Sequence, residues 1–346
     1  MRKILITGIG GDVACAIIRC LLEAFPEDEI YGMDIKKFTP YMHRIKEAII
    51  APRYTQSSYV QFLQDVIVQK QITHFLPTTE QEILIALEQK TFFEANNVKL
   101  VANNENVVRT CTSKYKTMLF LSKIGLNVPL TYLATDEQCN NLSYPFIMKA
   151  NYGSGGTKLT IIHNKEQWEK ADKDNMICQE LIGDSENEYT VGVFADGSET
   201  RNITFKRYLG PGGMSAEVHN CDIQAITDIV KRIATAFALK GCINVQLRKQ
   251  KERFFVFEIN PRLSSTTGFR HKMGFQDAVW WLKMIDGNVI PTYKNNHLKS
   301  IGVKVFDDVI VTPPPEYYLI KVTKYTIFCF IRNFSYKGEW HNGTLP

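Results

Sequence analysis

From residue 3 to residue 104, short apolar runs alternate with longer stretches of helical period. KILIT, EIYGMD, THFLP and VKLVA read as strands, while residues 13–25, 59–69 and 80–90 repeat their apolar positions three and four apart, as a helix with one buried face requires. Strand and helix in alternation favour a parallel sheet covered by helices, so this region is expected to be a Rossmann-like α/β domain. A helix over 113–124 ends at Gly125, a natural C-cap, and Pro129 follows, which marks a boundary. Beyond it come consecutive strands: YPFIMKA, KLTII, MICQEL, EYTVGVF and a run over 200–208, with one short helical pattern at 165–173. Helices over 223–239 and 276–285 flank a strand hairpin, INVQLRKQKERFFVFEIN. The second region is therefore α+β.

At 346 residues the chain has room for two to three structural units at roughly 100–200 residues each. Hydrophobic residues make up 45% and charged residues 22%, which excludes collagen-like and mainly disordered classes. A formal net charge of +5 is too dilute over this length for a nucleic-acid partner. The eight cysteines (Cys15, Cys20, Cys111, Cys139, Cys178, Cys221, Cys242 and Cys329) show no C-x-x-C spacing, so they read as reduced thiols of a cytoplasmic protein. The opening MRKILITGIGG reads as a strand and glycine turn and not as a signal peptide, and no stretch reaches the ~18 apolar residues of a membrane span.

Three clusters can carry chemistry. Gly8-Ile9-Gly10-Gly11-Asp12-Val13 follows a strand and opens a helix, and Asp34 closes the next strand where a ribose-binding acid would sit, the arrangement of a nicotinamide-dependent reductase. Val13 stands where the third glycine of that fingerprint belongs, and a tight turn into a buried helix explains the cluster equally well. Asn151-Tyr152-Gly153-Ser154-Gly155-Gly156-Thr157 follows Lys149 between two strands; its backbone N–H groups can approach a polyphosphate while the lysine supplies a point charge. It lacks the G-K-[ST] ending of a P-loop. In the hairpin, Glu258 and Asn260 lie two apart on one face, and pairing across a turn near Gln250-Lys251 brings Gln246 opposite them. One carboxylate and two amide oxygens suit Mg²⁺, which completes its shell with water and phosphate oxygens.

INVQLRKQKERFFVFEINPRLSSTTGF, with YPFIMKANYGSGGTKLTII and QELIGDSENEYTV, resembles the ATP-grasp superfamily over roughly residues 1 to 305. It is similar above all to single-module ligases akin to half of the carbamoyl-phosphate synthetase large chain and to the pyrrolysine-biosynthesis ligase. The resemblance implies a Rossmann-like domain at 1–111, a lid subdomain at 112–182, an antiparallel-sheet subdomain with the metal site at 183–305, and a tail at 306–346. It implies that Gln246, Glu258 and Asn260 hold magnesium, with Glu258 bridging two ions, and that Arg262 attends the transferring phosphoryl group. Lys114, with Lys116 as its rival, and Lys149 would reach the ATP phosphates. Ser154, Gly155, Gly156 and Thr157 would cover the γ-phosphate, and Glu180, Leu181 and Ile182 would form the adenine hinge. Glu188 would hold the ribose, although the stretch from Gly183 is slightly long and Glu186 competes.

The implied activity is ATP-dependent carboxylate–amine ligation through an acyl phosphate, with Mn²⁺ able to replace Mg²⁺. The implied partners are a small carboxylic acid and an amine, an amino acid or amino sugar among them, in a homodimer. The other readings are the NAD(P)-dependent reductase and a non-catalytic ATP-binding module. Further substrate contacts are open to Thr79 and Glu80 at a strand end, Lys206 and Arg207, and Arg270 and His271, with N-capping or a surface loop as the plainer readings. The tail carries Tyr317, Tyr318, Tyr325, Phe328, Phe330, Phe334, Tyr336 and Trp340 interleaved with Lys321, Lys324, Arg332 and Lys337. It is expected to close the core or a dimer interface, or to touch an anionic membrane surface.

Overall fold

The alternating region folds as a five-stranded, all-parallel sheet in the order β3-β2-β1-β4-β5: β1 (Lys3–Thr7), β2 (Glu29–Asp34), β3 (Glu47–Ile50), β4 (His74–Leu76) and β5 (Lys99–Leu100). The structure is a computed structural model and describes residues 1–153, 159–210 and 213–305. Ser154, Gly155, Gly156, Thr157 and the whole 306–346 tail lie outside the described residues. Helices α1 (Asp12–Ala24), α2 (Tyr59–Lys70), α3 (Glu80–Glu88) and α4 (Lys90–Ala95) connect the strands. The edge strand β3 was absent from the sequence reading because EAII shows no alternation and its residues are half-buried to exposed.

Two short helices, α5 (Glu105–Cys111) and α6 (Lys114–Lys123), lead out of this sheet, each capped by a side chain: Asn104 accepts from the Val107 N–H and Ser113 from the Lys116 N–H. A four-stranded antiparallel sheet follows, β6 (Thr131–Leu133), β7 (Phe146–Ala150), β8 (Leu159–Ile162) and β9 (Met176–Glu180), ordered β6-β9-β7-β8 with α7 (Lys165–Lys170) against it. The third sheet is antiparallel, six-stranded and ordered β14-β13-β10-β11-β12-β15. Its strands are β10 (Glu188–Asp196), β11 (Thr200–Leu209), β12 (Ser215–Cys221), β13 (Lys240–Gln250), β14 (Arg253–Asn260) and β15 (Ile301–Val303), with helices α8 (Gln224–Ala236), α9 (Thr267–Lys272) and α10 (Asp277–Ile285). In β12 the inward positions are Ser215, Val218 and Asn220, so polarity hid a strand from the sequence reading. Among the described residues, no helix is long and apolar enough to cross a membrane.

Ile4, Ile6, Ile17 and Leu21 of the first region share one core with Phe194, Phe205, Phe275, Trp280 and Trp281 of the third. Residues 1–305 accordingly gather into one unit. Within this packing Arg270 is 1% exposed: it faces Asp277 at 2.9 Å and donates to Thr267 at 2.7 Å. Burial raises the Asp277 carboxyl to about 6 despite Arg270. His271 is buried as well, 3.6 Å from Glu23 of α1. Neither residue lies on a surface loop, because α9 turns both into the core. Gly192 makes room for the arginine, since a Cβ there would lie 2.4 Å from Arg270 Cδ. Gly192→Ala is expected to destabilise the protein by about 3 kcal/mol through overpacking against a buried ion pair, measured by denaturant unfolding.

Candidate active site

Strands β13 and β14 form the hairpin read from the sequence, turning at Lys251 with φ of 54°. Gln246 stands opposite Glu258 and Asn244 opposite Asn260, with a bulge after Gln246. The Asn260 amide donates to Glu258 Oε1 at 3.1 Å, and Arg262 Nη2 donates to Asn260 Oδ1 at 3.2 Å. Gln246, Glu258, Asn260 and Arg262 therefore share one side of the hairpin. Asn244 is not available to a ligand in the same way, because its oxygen accepts from Thr190, Ser264 and Arg270.

Lys149, near the end of β7, is buried. Burial lowers its ammonium to about 8, with Lys114 and Arg248 adding to that effect and Glu258 opposing it. At Glu258 burial pushes the carboxyl up, yet Lys149, Lys114, Arg207 and the Asn260 amide together hold it below the ordinary carboxylate value. A carboxylate kept ionised among cations is what a site for Mg²⁺ and phosphate requires. Lys114 begins α6, and its ammonium donates to the Gly153 carbonyl at 2.7 Å, at the entrance to the second glycine cluster, whereas Lys116 is exposed. Asn151, which the sequence offered only as part of that cluster, fastens the two segments: its side-chain oxygen accepts from Ser113 Oγ and the Tyr115 N–H, both at 3.0 Å.

Glu188 opens β10, buried, with Arg207 Nε at 2.7 Å on one oxygen and Arg248 Nε at 2.9 Å on the other. Arg207 also donates to Gln246 at 2.9 Å, so this arginine joins the ribose candidate to the metal candidate. It is thereby engaged within the protein and is not the free carboxylate-binding group that the sequence allowed, while Lys206 lies over the Tyr208 ring at 5.8 Å. Glu186 is exposed on a short turn. Glu180 exchanges backbone and side-chain hydrogen bonds with Leu130 at 2.8 and 3.1 Å, fixing the start of the Glu180–Leu181–Ile182 segment. The Arg207–Glu188–Arg248 bridge was illegible in the sequence, since the three residues come from three strands.

The first region supplies the opposite wall. Thr79 caps α3, accepting from the Glu82 N–H at 3.3 Å and donating to Glu82 Oε2 at 2.7 Å, in keeping with the plainer reading. Glu80 instead faces Arg262 at 3.5 Å, both side chains largely buried. At the first glycine cluster, Asp34 accepts from the Gly10 and Lys36 N–H groups, each at 2.8 Å. Its two oxygens close their own loop, which gives the acid a role other than holding a ribose. A cleft of about 400 Å³ lies beside this loop, bordered by Gly8, Asp34, Lys36, Arg53, Tyr54 and Thr79.

Among the described residues, no group of three His, Cys, Asp or Glu gathers to hold a metal. One carboxylate with two amide oxygens fits a Mg²⁺ held largely by phosphate and water, and does not fit an all-protein cage for zinc or calcium.

Residues 111–266 match the ATP-grasp domain family. The carbamoyl phosphate synthase large chain of Neisseria meningitidis serogroup A is 23% identical over 199 residues, which is 51% of this chain and 19% of that protein. The chain thus spans about a fifth of the length of this curated relative. N5-carboxyaminoimidazole ribonucleotide synthetase from Thermotoga maritima superposes with a TM-score of 0.66 at 18% identity, covering 85% of this chain and 78% of its own. The biotin carboxylase domain of Hydrogenobacter thermophilus 2-oxoglutarate carboxylase, solved with MgADP, ADP and bicarbonate, gives 0.66 at 13% identity, covering 84% and 71%.

Proposed function

We propose, from the ATP-grasp domain that residues 111–266 carry, that the protein is an ATP- and Mg²⁺-dependent ligase joining a carboxylic acid to an amine. The observation that carries this reading is the single face formed by Gln246, Glu258, Asn260 and Arg262, opposite the cations Lys149 and Lys114. A carboxylate oxygen attacks the γ-phosphorus of ATP and ADP leaves; an amine then attacks the acyl carbon, the C–O bond to phosphate breaks, and an amide forms. Phosphoryl transfer asks the protein mainly for position and charge neutralisation. Lys114, Lys149 and Arg262 supply the charge. Gln246, Glu258 and Asn260 would hold two Mg²⁺ ions, or Mn²⁺, whose chemistry is to bridge and neutralise the phosphates. Glu180 to Ile182 would pair with adenine and Glu188 would take the ribose hydroxyls, sharing its oxygens with Arg207 and Arg248. The loop of Ser154, Gly155, Gly156 and Thr157 would close over the γ-phosphate.

In this reading residues 1–111, 112–182 and 183–305 serve as substrate wall, lid and metal sheet of a cytoplasmic homodimer, and the cleft beside Gly8 and Arg53 receives one small substrate. The intact metal and arginine set favours turnover over a purely nucleotide-binding role, and the engagement of Asp34 disfavours a reductase. ADP release across a panel of carboxylic acids, with hydroxylamine as nucleophile, tests the reading. At least one acid should raise ADP release well above background and yield a hydroxamate. Stabilisation by NADPH, with no response to Mg·ATP and any of the acids, would overturn it.

Lys149 makes nucleotide binding pH-dependent. Its ammonium, ordinarily near 10.5, discharges at about 8 in the free protein. Burial penalises the charged form fully below that pH, and the penalty is lost as pH rises toward the unfolded value, so this group favours folding at high pH. Phosphate prefers the ammonium, so binding takes up a proton above pH 8. Mg·ATP affinity should fall about tenfold per pH unit there. Lys149→Arg should flatten the dependence, as titration calorimetry at pH 7 and 9 would read.

A further inference from the structure

Gln246 differs from the other two metal candidates in what already holds its oxygen. Arg207 Nη2 donates to Gln246 Oε1 at 2.9 Å, and the same guanidinium is tied to Glu188 Oε1 through Nε at 2.7 Å and again through Nη2. Glu188 is 3% exposed, and its second oxygen takes Arg248 Nε at 2.9 Å. The bridge therefore sets two guanidinium charges against one carboxylate and is net positive. Its bonds are charge-assisted and largely enclosed, so Arg207 is fixed where it stands.

Arg262, at the other end of the same face, is held differently. It donates to Asn260 Oδ1 at 3.2 Å and to the Leu263 carbonyl at 3.1 Å, and its ion pair with Glu80 spans 3.5 Å. Its buried Nε has no hydrogen-bond partner. Contacts this long are weak, so the guanidinium is able to turn toward phosphate and release the oxygen it held. Asn260 then has a free oxygen beside Glu258, to which its amide already donates at 3.1 Å. Gln246, directly across the ladder from Glu258, keeps its oxygen under a fixed cation. An amide oxygen has two acceptor positions, so Gln246 retains one for a metal ion. That ion would nevertheless sit against the guanidinium, and like charges close together away from bulk water repel strongly.

We propose that Arg207 sets how many metal ions the site holds tightly: one Mg²⁺ binds between Glu258 and Asn260, and the ion on the Gln246 side binds far more weakly, with the arginine neutralising phosphate charge there. The proposal rests on the ligase reading, which puts two ions on these three side chains. It adds that the two are unequal and that Arg207 is the cause.

The test counts ions and needs no turnover. The full chain with stoichiometric ADP is titrated with Mn²⁺, and free Mn²⁺ is read by electron paramagnetic resonance against a protein-free ADP control. The wild type should bind one Mn²⁺ tightly and a second with a dissociation constant about 30-fold higher or more. Arg207→Gln removes the charge and keeps a hydrogen-bond donor, and should bring the second ion to within about threefold of the first. Arg207→Lys should preserve the wild-type difference. Gln246→Ala should leave the tight ion in place, whereas Asn260→Ala should weaken it about tenfold or more. ADP affinity without metal, read by calorimetry on each variant, reports folding and the nucleotide site. Two equal ions in the wild type, or loss of the tight ion in Gln246→Ala, would overturn the proposal. An unchanged difference in Arg207→Gln would also overturn it and assign Arg207 to holding Glu188 alone. If the wild type binds neither ADP nor Mn²⁺, the ligase reading itself fails, and the role of Arg207 fails with it.

Discussion

Glu258→Gln should lower ADP production by at least about 10³-fold, the scale expected when charge stabilisation is removed from a phosphoryl-transfer site. The substitution keeps the shape and removes one negative charge. That charge is held ionised against burial by Lys149, Lys114 and Arg207, so the local field is built around it. Nucleotide binding should suffer less, because Lys114 is fixed by the Gly153 carbonyl and Glu180 by Leu130, both independently of Glu258. The expected signature is a kcat loss much larger than the change in Mg·ATP dissociation constant, which marks an interaction strengthened in the transition state. Parallel losses in both would assign Glu258 to binding alone.

Arg262→Ala should cost about 10² to 10³-fold in kcat, by analogy with arginines that stabilise phosphoryl transfer. The guanidinium is almost enclosed and bridges Asn260, the Leu263 carbonyl and Glu80, at 3.2, 3.1 and 3.5 Å, so its fork is already oriented. Arg262→Lys keeps the charge and loses the fork, and should recover only a small part of the activity. Full activity in the lysine variant would mean that charge alone matters at this position.

The fold was legible where patterning is strong. Four of the five parallel strands and the hairpin follow from runs whose apolar residues are buried on both faces or on alternate ones. Strands β3 and β12 were hidden, the first because it is half-exposed and the second because its inward side chains include Ser215 and Asn220. At the site, Gln246, Glu258 and Asn260 could be placed together because strand spacing is rigid: residues two apart share a face, and the turn at Lys251 sets the register. Contacts between distant strands left no such trace. The grip of Arg207 and Arg248 on Glu188, and the approach of Glu80 to Arg262, depend on how sheets pack and not on local period. The burial of Arg270 and His271 was likewise invisible, since a short helix of mixed polarity gives no sign of which side faces the core.

The most direct measurement follows one oxygen atom. With the preferred acid labelled with ¹⁸O in its carboxylate, turnover with an amine should place one ¹⁸O in each inorganic phosphate released alongside ADP, because the acid oxygen that attacks the γ-phosphate leaves with it. Label retained wholly in the acid and amide, or AMP released in place of ADP, would contradict an acyl-phosphate ligase.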